Sequence, residues 1–198
     1  MRYSRNPEWT HKVAFTGAGC VGKTALLNQV AKKSPGPSIG LVGEAARGYF
    51  KSHPGIPESQ RYSFYHQERI QRMAMGAELA IHESRHDHVF TDRSVFDAAV
   101  CVASTGDRKG AKKLLRRVEM WLPGKSDIAY SQIYVLDPAD VPFENDPQRT
   151  EGEATRQRQH EMFLEFFTRY DISHKLLSGS FEERTETVLA ALPNTSVK

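Results

Sequence analysis

Cysteine is scarce in this chain of 198 residues, and long hydrophobic runs are absent. The two cysteines, Cys20 and Cys101, lie in unrelated segments, and their number excludes a disulfide framework and a cysteine-based zinc site. The longest uninterrupted apolar run covers only residues 98–103, whereas a membrane-spanning helix needs roughly 20 residues. The polar residues 1–10 contain no apolar core of a signal peptide. We therefore expect a cytoplasmic protein that does not enter a membrane.

The charges of the chain are nearly balanced. Lysine and arginine number 27 against 24 aspartate and glutamate, which gives a net charge of +3 at pH 7. This mildly basic balance does not by itself require a nucleic-acid partner. Hydrophobic residues make up 39% and charged residues 26%, a composition typical of a globular chain. The length fits one domain with its own core, so we expect a single domain over residues 1–198.

Short apolar segments alternate with longer helical segments, a pattern typical of a parallel sheet with helices between its strands. Strands are predicted over residues 12–16, 38–42, 88–91, 132–136 and 174–177. Helices are predicted over residues 22–33, 58–85, 95–103, 109–122 and 182–192, with a short helix from residue 44 and another around residues 163–170. The predicted fold is α/β, a three-layer α/β/α P-loop domain with about five parallel strands. In the long helix, helical spacing predicts one buried face formed by Ile70, Met73, Ala74, Ala77 and Ile81.

The most informative segment is residues 17–24, which fills every fixed position of the pattern G-x-x-x-x-G-K-[ST]. It follows a predicted strand and precedes a predicted helix, as this phosphate-binding pattern requires. Its glycines let backbone N–H groups converge on phosphates, and the helix N-terminus adds the positive end of its dipole. Lys23 is predicted to reach the β- and γ-phosphates, and Thr24 to hold Mg²⁺. The predicted nucleotide site consists of Gly17, Ala18, Gly19, Cys20, Val21, Gly22, Lys23 and Thr24.

The residues after the third predicted strand narrow the class of nucleotide-binding protein. The chain has no N-K-x-D pattern of a guanine-reading GTPase, and the D-x-x-G at residues 107–110 follows no predicted strand. Motor ATPases of the AAA+ type carry a strand that ends in Asp-Glu. Here the strand is followed by Asp92, Arg93 and Ser94. This segment is similar to nucleoside and nucleotide kinases, in which the acidic residue lies beside the γ-phosphate and Mg²⁺.

Further motifs follow the other predicted strands or lie on the long predicted helix. They are Glu44-Ala45-Ala46-Arg47, Gln67-Glu68 on the long helix, D-P-A-D-V-P-F-E-N-D-P-Q-R over residues 137–149, and Gly179 with Arg184. Together with the Asp-Arg-Ser segment, this set resembles the NadR-type ribosylnicotinamide kinase domain and the small AAA-type P-loop ATPases grouped with it. The resemblance covers residues 12–192. The chain departs from that family in a basic segment between residues 107 and 125, and in Phe143, where tryptophan is common.

The resemblance implies ATP and Mg²⁺ as cofactors and a role for each matching residue. Lys23 and Asp92 are expected to act in catalysis, with Asp92 in the Mg²⁺ shell or as the general base. Glu44 is expected to accept the proton of the attacking hydroxyl or to hold the sugar of the substrate. The expected substrate-binding residues are Glu44, Arg47, Gln67 and Arg93, and the expected nucleotide-binding residues include Arg184. Arg149, with Arg156 and Arg158, resembles the mobile lid of small kinases, expected over residues 137–160.

Three functional hypotheses follow. The first is a Mg-ATP-dependent kinase that transfers the γ-phosphate to a hydroxyl of a nucleoside-like acceptor, with ribosylnicotinamide as the first guess. The second is a polynucleotide or modified-DNA-base kinase, because lysine and arginine dominate residues 108–125 and could contact a nucleic-acid backbone. The third is a nucleotide-dependent switch or adaptor without a small-molecule acceptor. The sequence leaves open whether Glu44 or Asp92 is the base, and whether the chain forms a homo-oligomer.

Overall fold

The computed structural model describes residues 10–36, 38–139, 141 and 153–193. These residues form five strands: β1 His11–Thr16, β2 Ile39–Val42, β3 His88–Asp92, β4 Gln132–Leu136 and β5 Lys175–Leu177. They also form seven α-helices: α1 Lys23–Lys33, α2 Ala45–Ser52, α3 Phe64–Glu83, α4 Asp97–Ser104, α5 Arg108–Arg117, α6 Glu153–Arg169 and α7 Phe181–Ala190. Short 3₁₀ turns occupy Glu58–Gln60 and Glu119–Trp121. Among the described helices, none is long and apolar enough to span a membrane.

The five strands form one parallel sheet in the order β2-β3-β1-β4-β5. The central strand β1 pairs Phe15 with Asp92 of β3 and Thr16 with Val135 of β4. The carboxyl ends of all five strands therefore meet at one edge of the sheet, where open α/β sheets bind their ligands. The α/β prediction with five parallel strands is confirmed.

Alternate strand residues face two separate cores, which explains the three layers. On β4, Ile133 and Val135 join a core with α3, α4, α5 and α6, whereas Tyr134 and Leu136 join a core with α1 and α7. All four side chains are almost completely buried. The sheet thus fixes the position of the loops at its carboxyl edge.

The predicted long helix over residues 58–85 differs from the structure in two features. The segment divides into the 3₁₀ turn and α3, because Ser63 between them has extended backbone angles (φ −64°, ψ 150°). The predicted apolar face is buried only in part, since Ile70 is 6% exposed but Met73 is 46% exposed and Ala77 is exposed.

The buried face of α3 is instead largely polar, with Gln67, Gln71 and Glu78 beside Ile70. The amide of Gln71 shows the reason, because its Nε2 donates to the carbonyl oxygens of Val95 (3.0 Å) and Leu114 (3.2 Å). Hydrogen bonds to the neighbouring segments make this polar burial favourable, and apolar periodicity does not detect them.

The basic helix α5 is shorter than the predicted 109–122 and ends at Arg117. Its start explains the D-x-x-G segment, because the Asp107 side chain accepts a hydrogen bond from the backbone N–H of Gly110 at 2.8 Å. This is a helix N-cap. The segment therefore has a local structural role. This agrees with the sequence, in which it follows no predicted strand.

Two neighbouring histidines lie at the amino-terminal edge of the sheet, far from the ligand-binding edge. His11 and His88 are paired across β1 and β3, with ring centroids 5.9 Å apart. Burial, together with the charge of His88, lowers the pKa of His11 to about 4. Burial also lowers the pKa of His88, against the opposing influence of the Asp87 carboxylate. The His11 ring is therefore held neutral in the folded protein at mildly acidic pH, and burial favours the neutral form of His88 as well.

We expect the free energy of unfolding to fall as the pH is lowered from about 6.5 towards 4. In this window His11 of the unfolded chain binds a proton while the buried ring does not, and the lowered pKa of His88 acts in the same direction. Each site can contribute a slope of at most about 1.4 kcal/mol per pH unit. Denaturant unfolding at a series of pH values would measure it, and His11→Gln should reduce the slope. An unchanged slope in that variant would contradict the assignment to His11.

Candidate functional site

The glycine-rich loop between β1 and α1 has the backbone conformation that its glycines allow. Gly17 has φ of 120°, and a Cβ atom there would lie 3.3 Å from the carbonyl oxygen of Leu136. Gly22, directly before α1, has φ of 78°. Cys20 adopts φ of 52° without being glycine, a conformation that L-residues rarely hold unless the surroundings fix it. The loop therefore folds back tightly before the helix starts at Lys23.

Lys23 is buried at the base of this loop, with only 6% of its surface exposed. Its Nζ donates to the carbonyl oxygen of Ala18 and, at 3.3 Å, to that of Gly17. The ammonium group is thus held against the same loop that the sequence predicts to carry phosphates.

Thr24 and Asp92 meet at the carboxyl end of β3. The Thr24 hydroxyl donates to Asp92 Oδ2 at 2.5 Å. Asp92 is 5% exposed, and its other oxygen, Oδ1, is buried and accepts no hydrogen bond from a described residue. A buried carboxylate oxygen without a donor is costly unless a ligand supplies one. This pair is therefore a candidate cation site built from oxygen atoms.

Glu44 follows β2 and lies between two guanidinium groups. Arg93 Nε donates to Glu44 Oε1 at 2.7 Å, and Arg47 Nε donates to Oε2 at 3.3 Å. The side chains of Glu44 and Arg93 are 8% and 18% exposed, whereas that of Arg47 is 52% exposed. Glu44 is therefore held on one side by the largely buried Arg93 and on the other side by the half-exposed Arg47.

These groups surround one cleft of about 240 Å³ at the carboxyl edge of the sheet. It is lined by Cys20, Val21, Gly22, Lys23, Thr24, Ala25, Glu44, Arg47 and Asp92. The structure thus brings together most of the residues that the sequence predicts for the phosphates, the metal and the acceptor.

A second cavity of about 120 Å³ lies on the other side of the phosphate loop. Its lining is Val21, Gly22, Leu26, Leu136, Val141, Phe181 and Arg184. Arg184 is 2% exposed; its Nε donates to the Gly179 carbonyl at 2.7 Å, and its Nη2 to the Asp137 carbonyl at 2.8 Å. The predicted nucleotide-binding arginine is therefore a rigid part of this cavity wall.

Other predicted residues lie apart from the cleft lining. The Gln67 side chain is buried and donates to the backbone carbonyl of Arg61 at 2.8 Å. Arg158 is exposed on α6, and Arg149 lies outside the described residues. Their roles stay predictions.

Helix α6 contacts the phosphate loop through two side chains. Arg156 is 5% exposed, and its Nη1 donates to the carbonyl oxygens of Cys20 (3.2 Å) and Val141 (2.9 Å). Gln159 Oε1 accepts a hydrogen bond from the backbone N–H of Gly19 at 3.0 Å. The first turns of α6 therefore pack on the loop. Sequence reasoning did not single out Gln159, which has no motif to mark it.

Asp97 is a second residue that sequence reasoning missed. It is 5% exposed at the start of α4 and receives a hydrogen bond from Arg93 Nη1 at 3.0 Å. The one sequence feature that could have identified Asp97 is that it is an acidic residue five positions after Asp92. An acidic residue in the first turn of a helix is favourable in any case, so this signal is weak.

Comparison with known proteins places this arrangement in a family. A family model described as an AAA domain matches residues 12–184. The chain belongs to this AAA-domain family. No curated protein matches its sequence significantly.

The fold of this AAA-domain chain is similar to crystal structures of NadR protein. The complex of NadR with NAD and AMP-PNP superimposes with a TM-score of 0.68 at 15% identity, and covers 97% of this chain and 52% of that chain. The complex of NadR with NR gives a TM-score of 0.69 at 16% identity, with 94% and 52% covered. The chain therefore spans about half the length of these NadR chains. The predicted resemblance to NadR-type P-loop domains is confirmed in the fold.

Proposed function

We propose that the chain is a Mg-ATP-dependent kinase that transfers the γ-phosphate to a hydroxyl of a nucleoside-like acceptor. The observation that carries this proposal is the single cleft shared by Lys23, the Thr24–Asp92 pair and Glu44. The similar NadR structures contain AMP-PNP in one case and NR in another. Those ligands support ATP as the donor and ribosylnicotinamide as the first acceptor to test.

The residues at the end of β3 fit Mg²⁺. Magnesium prefers oxygen ligands, usually one or two carboxylates or hydroxyls together with substrate phosphates. Asp92 Oδ1 is buried without a hydrogen-bond donor among the described residues, and the Thr24 hydroxyl lies beside the same carboxylate. We propose that Thr24 and Asp92 hold the ion. When bound, Mg²⁺ neutralises charge on the β- and γ-phosphate oxygens.

The donor nucleotide is proposed to extend from the cleft into the second cavity. Lys23 and the backbone N–H groups of the loop would hold the phosphates. The apolar wall at Leu26 and Leu136 and the 39%-exposed ring of Phe181 offer contacts to a flat base. Arg184, fixed by two backbone carbonyls, keeps the shape of this wall.

Glu44 is the proposed general base. Asp92 Oδ2 already accepts the Thr24 hydroxyl, and its free oxygen suits a cation. Glu44 Oε2 faces the half-exposed Arg47, which lines the same cleft. The acceptor hydroxyl would give its proton to Oε2 while its oxygen forms the bond to Pγ. The bond from Pγ to the β–γ bridging oxygen breaks, and ADP leaves.

Mass spectrometry of reactions with Mg-ATP tests this function. Ribosylnicotinamide, a DNA oligonucleotide and a nucleoside mixture are offered separately, and a gain of about 80 mass units marks one added phosphate. We expect product from ribosylnicotinamide, and a loss of about 100-fold or more in Glu44→Gln. Glu83→Gln makes the same change at an exposed position on α3 and is the matched control. ATP binding without a product on any acceptor would overturn the kinase and favour the switch hypothesis.

A second candidate, a nucleic-acid acceptor, is favoured by the surface of α5. Exposed cations cover this helix: Arg108, Lys109, Lys112, Lys113 and Arg116. None of them forms an ion pair with a described residue. Arg117 differs, because its Nη2 donates to Glu68 at 2.5 Å. The five exposed cations are therefore available to a phosphate backbone.

The DNA arm of the same assay decides between the two acceptors. A product on DNA alone would establish the second candidate. DNA affinity should then fall with salt, and Lys109→Ala/Lys112→Ala should reduce the log–log salt slope by about two. Lys32→Ala/Lys33→Ala removes two exposed cations from α1 and is the charge-matched control.

A further inference from the structure

A buried chain of charged side chains connects the start of α4 to Glu44. Arg93 lies in the middle, with Nε 2.7 Å from Glu44 Oε1 and Nη1 3.0 Å from Asp97 Oδ2. The same Nη1 lies 3.3 Å from the carbonyl oxygen of Gly17 at the start of the phosphate loop. One guanidinium group thus joins the ends of β1 and β2 and the first turn of α4.

The backbone of Arg93 is constrained to make these contacts. Its φ is 83°, in the left-handed region that a long side chain seldom occupies. Its N–H donates to the Phe15 carbonyl at 2.8 Å, and its carbonyl accepts from the Thr91 hydroxyl at 2.8 Å. Such strain persists only where the surroundings over-determine it, and it is concentrated at functional sites.

Asp97 is the fixed end of the chain. Its Oδ1 accepts from the hydroxyls of Thr16 (2.5 Å) and Ser94 (2.6 Å) and from the Ser94 N–H (3.0 Å). Its Oδ2 remains for Arg93. Although burial opposes the charge, the carboxylates of Glu44 and Asp97 raise the pKa of Arg93 above its ordinary value. Arg93 therefore stays cationic between two carboxylates.

The two oxygens of Glu44 consequently differ. Oε1 accepts at 2.7 Å from Arg93, which Asp97 also holds, whereas Oε2 accepts at 3.3 Å from Arg47, whose side chain is 52% exposed. Arg47 lines the cleft, and Arg93 is not among the described residues that line it. Oε2 is therefore the oxygen on the cleft side of Glu44, where the acceptor would bind.

We propose that Asp97 is a positioning residue, which holds Arg93 on Glu44 Oε1 and so presents Oε2 to the acceptor hydroxyl. This inference rests on the proposed function. Arg93 is then a positioning residue as well, instead of contacting the substrate as the sequence predicts. The proton that Oε2 receives is the one released as the acceptor oxygen bonds to phosphorus.

The variant Asp97→Asn tests the link with little change in shape. Its amide oxygen can still accept from Thr16 and Ser94, but its NH₂ group cannot accept from Arg93. Ser94→Ala is the matched control, because it removes one hydrogen bond to Oδ1 and leaves Oδ2 for Arg93. Both variants are compared with the wild-type protein by ATP binding and by kcat and KM for ribosylnicotinamide. NMR measures the exchange of the Arg93 Nε–H with solvent, and the signal is assigned by its loss in Arg93→Lys.

In Asp97→Asn we expect the Nε–H to exchange with solvent about tenfold faster or more. The kcat should fall about 10- to 100-fold, as for a misplaced catalytic group, with ATP affinity within about threefold. Ser94→Ala should stay near the wild type in all three. Unchanged exchange and kcat in Asp97→Asn would overturn the proposal, as would loss of ATP binding in parallel with kcat. Absence of turnover in the wild type would overturn the proposed function, while the exchange measurement still decides separately whether Asp97 holds Arg93.

Discussion

Replacing Lys23 by alanine should remove nearly all affinity that depends on the triphosphate. The ammonium group is buried under the phosphate loop and held by the carbonyl oxygens of Gly17 and Ala18. A phosphate group offers it stronger, charge-assisted hydrogen bonds than these neutral carbonyls do. Loss of one such preorganised charge in a site closed to water reduces turnover about 100- to 1,000-fold. We expect an effect of at least this size on phosphoryl transfer, and a comparable loss of ATP affinity.

Calorimetric titration with ATP and with adenosine separates the loss of phosphate binding from a general loss of folded structure. The second cavity does not include Lys23, so Lys23→Ala should bind adenosine as the wild type does and lose only the gain from the phosphates. Lys32→Ala removes an exposed charge from the last turn of the same helix and serves as control. Normal ATP affinity in Lys23→Ala would show that the loop does not bind phosphates.

The phosphate loop and the sheet could be predicted because their signals are local. The loop is a contiguous pattern between a strand and a helix. Glu44 and Asp92 were identified because each follows a predicted strand, and parallel strands bring such positions to one edge. The structure places both beside Lys23 and Thr24 in the cleft. Contiguity and strand order therefore sufficed for this part of the site.

The buried polar partners could not be predicted in this way. Asp97 meets Thr16 across 81 positions of sequence, and Gln159 meets Gly19 across 140. No spacing rule connects such pairs. The polar face of α3 was missed for the same reason, since the buried Gln71 donates to the carbonyl oxygens of Val95 and Leu114, which lie far from it in sequence. Long-range hydrogen bonds, which periodicity does not detect, decide these positions.

Breaking the buried ion pair between β1 and α3 should have the largest effect on the free energy of unfolding. Lys12 Nζ lies 2.9 Å from Glu78 Oε2, with the two side chains only 5% and 1% exposed. Glu78 also accepts from the Tyr130 hydroxyl at 2.5 Å and from Trp121 Nε1 at 2.8 Å. Glu78→Leu would leave the Lys12 ammonium and both aromatic donors buried without their acceptor. We expect a loss of about 3–5 kcal/mol in the free energy of unfolding.

Lys12→Met should cost less, and its cost should depend on pH. Burial raises the pKa of Glu78, against the opposing charge of Lys12 and the hydrogen bonds of its neighbours. Without Lys12, the carboxyl group can take up a proton and remain hydrogen-bonded to Tyr130 and Trp121. The folded variant then binds one more proton than the unfolded chain at pH above the ordinary glutamate pKa. Its stability should therefore decline as the pH rises.

Urea unfolding of the two single variants and of the double variant measures the coupling. The double variant Lys12→Met/Glu78→Leu removes both charges, so its loss should be smaller than the sum of the single losses by about 1 kcal/mol or more. Additive losses would show that the pair contributes no coupling. Lys12 lies four residues before Thr16 on β1, which places it about 13 Å along the strand from Thr16, the residue that precedes the phosphate loop. ATP affinity measured below the unfolding transition should therefore be unchanged in the folded variants, because this network stabilises the sheet without contributing an atom to the cleft.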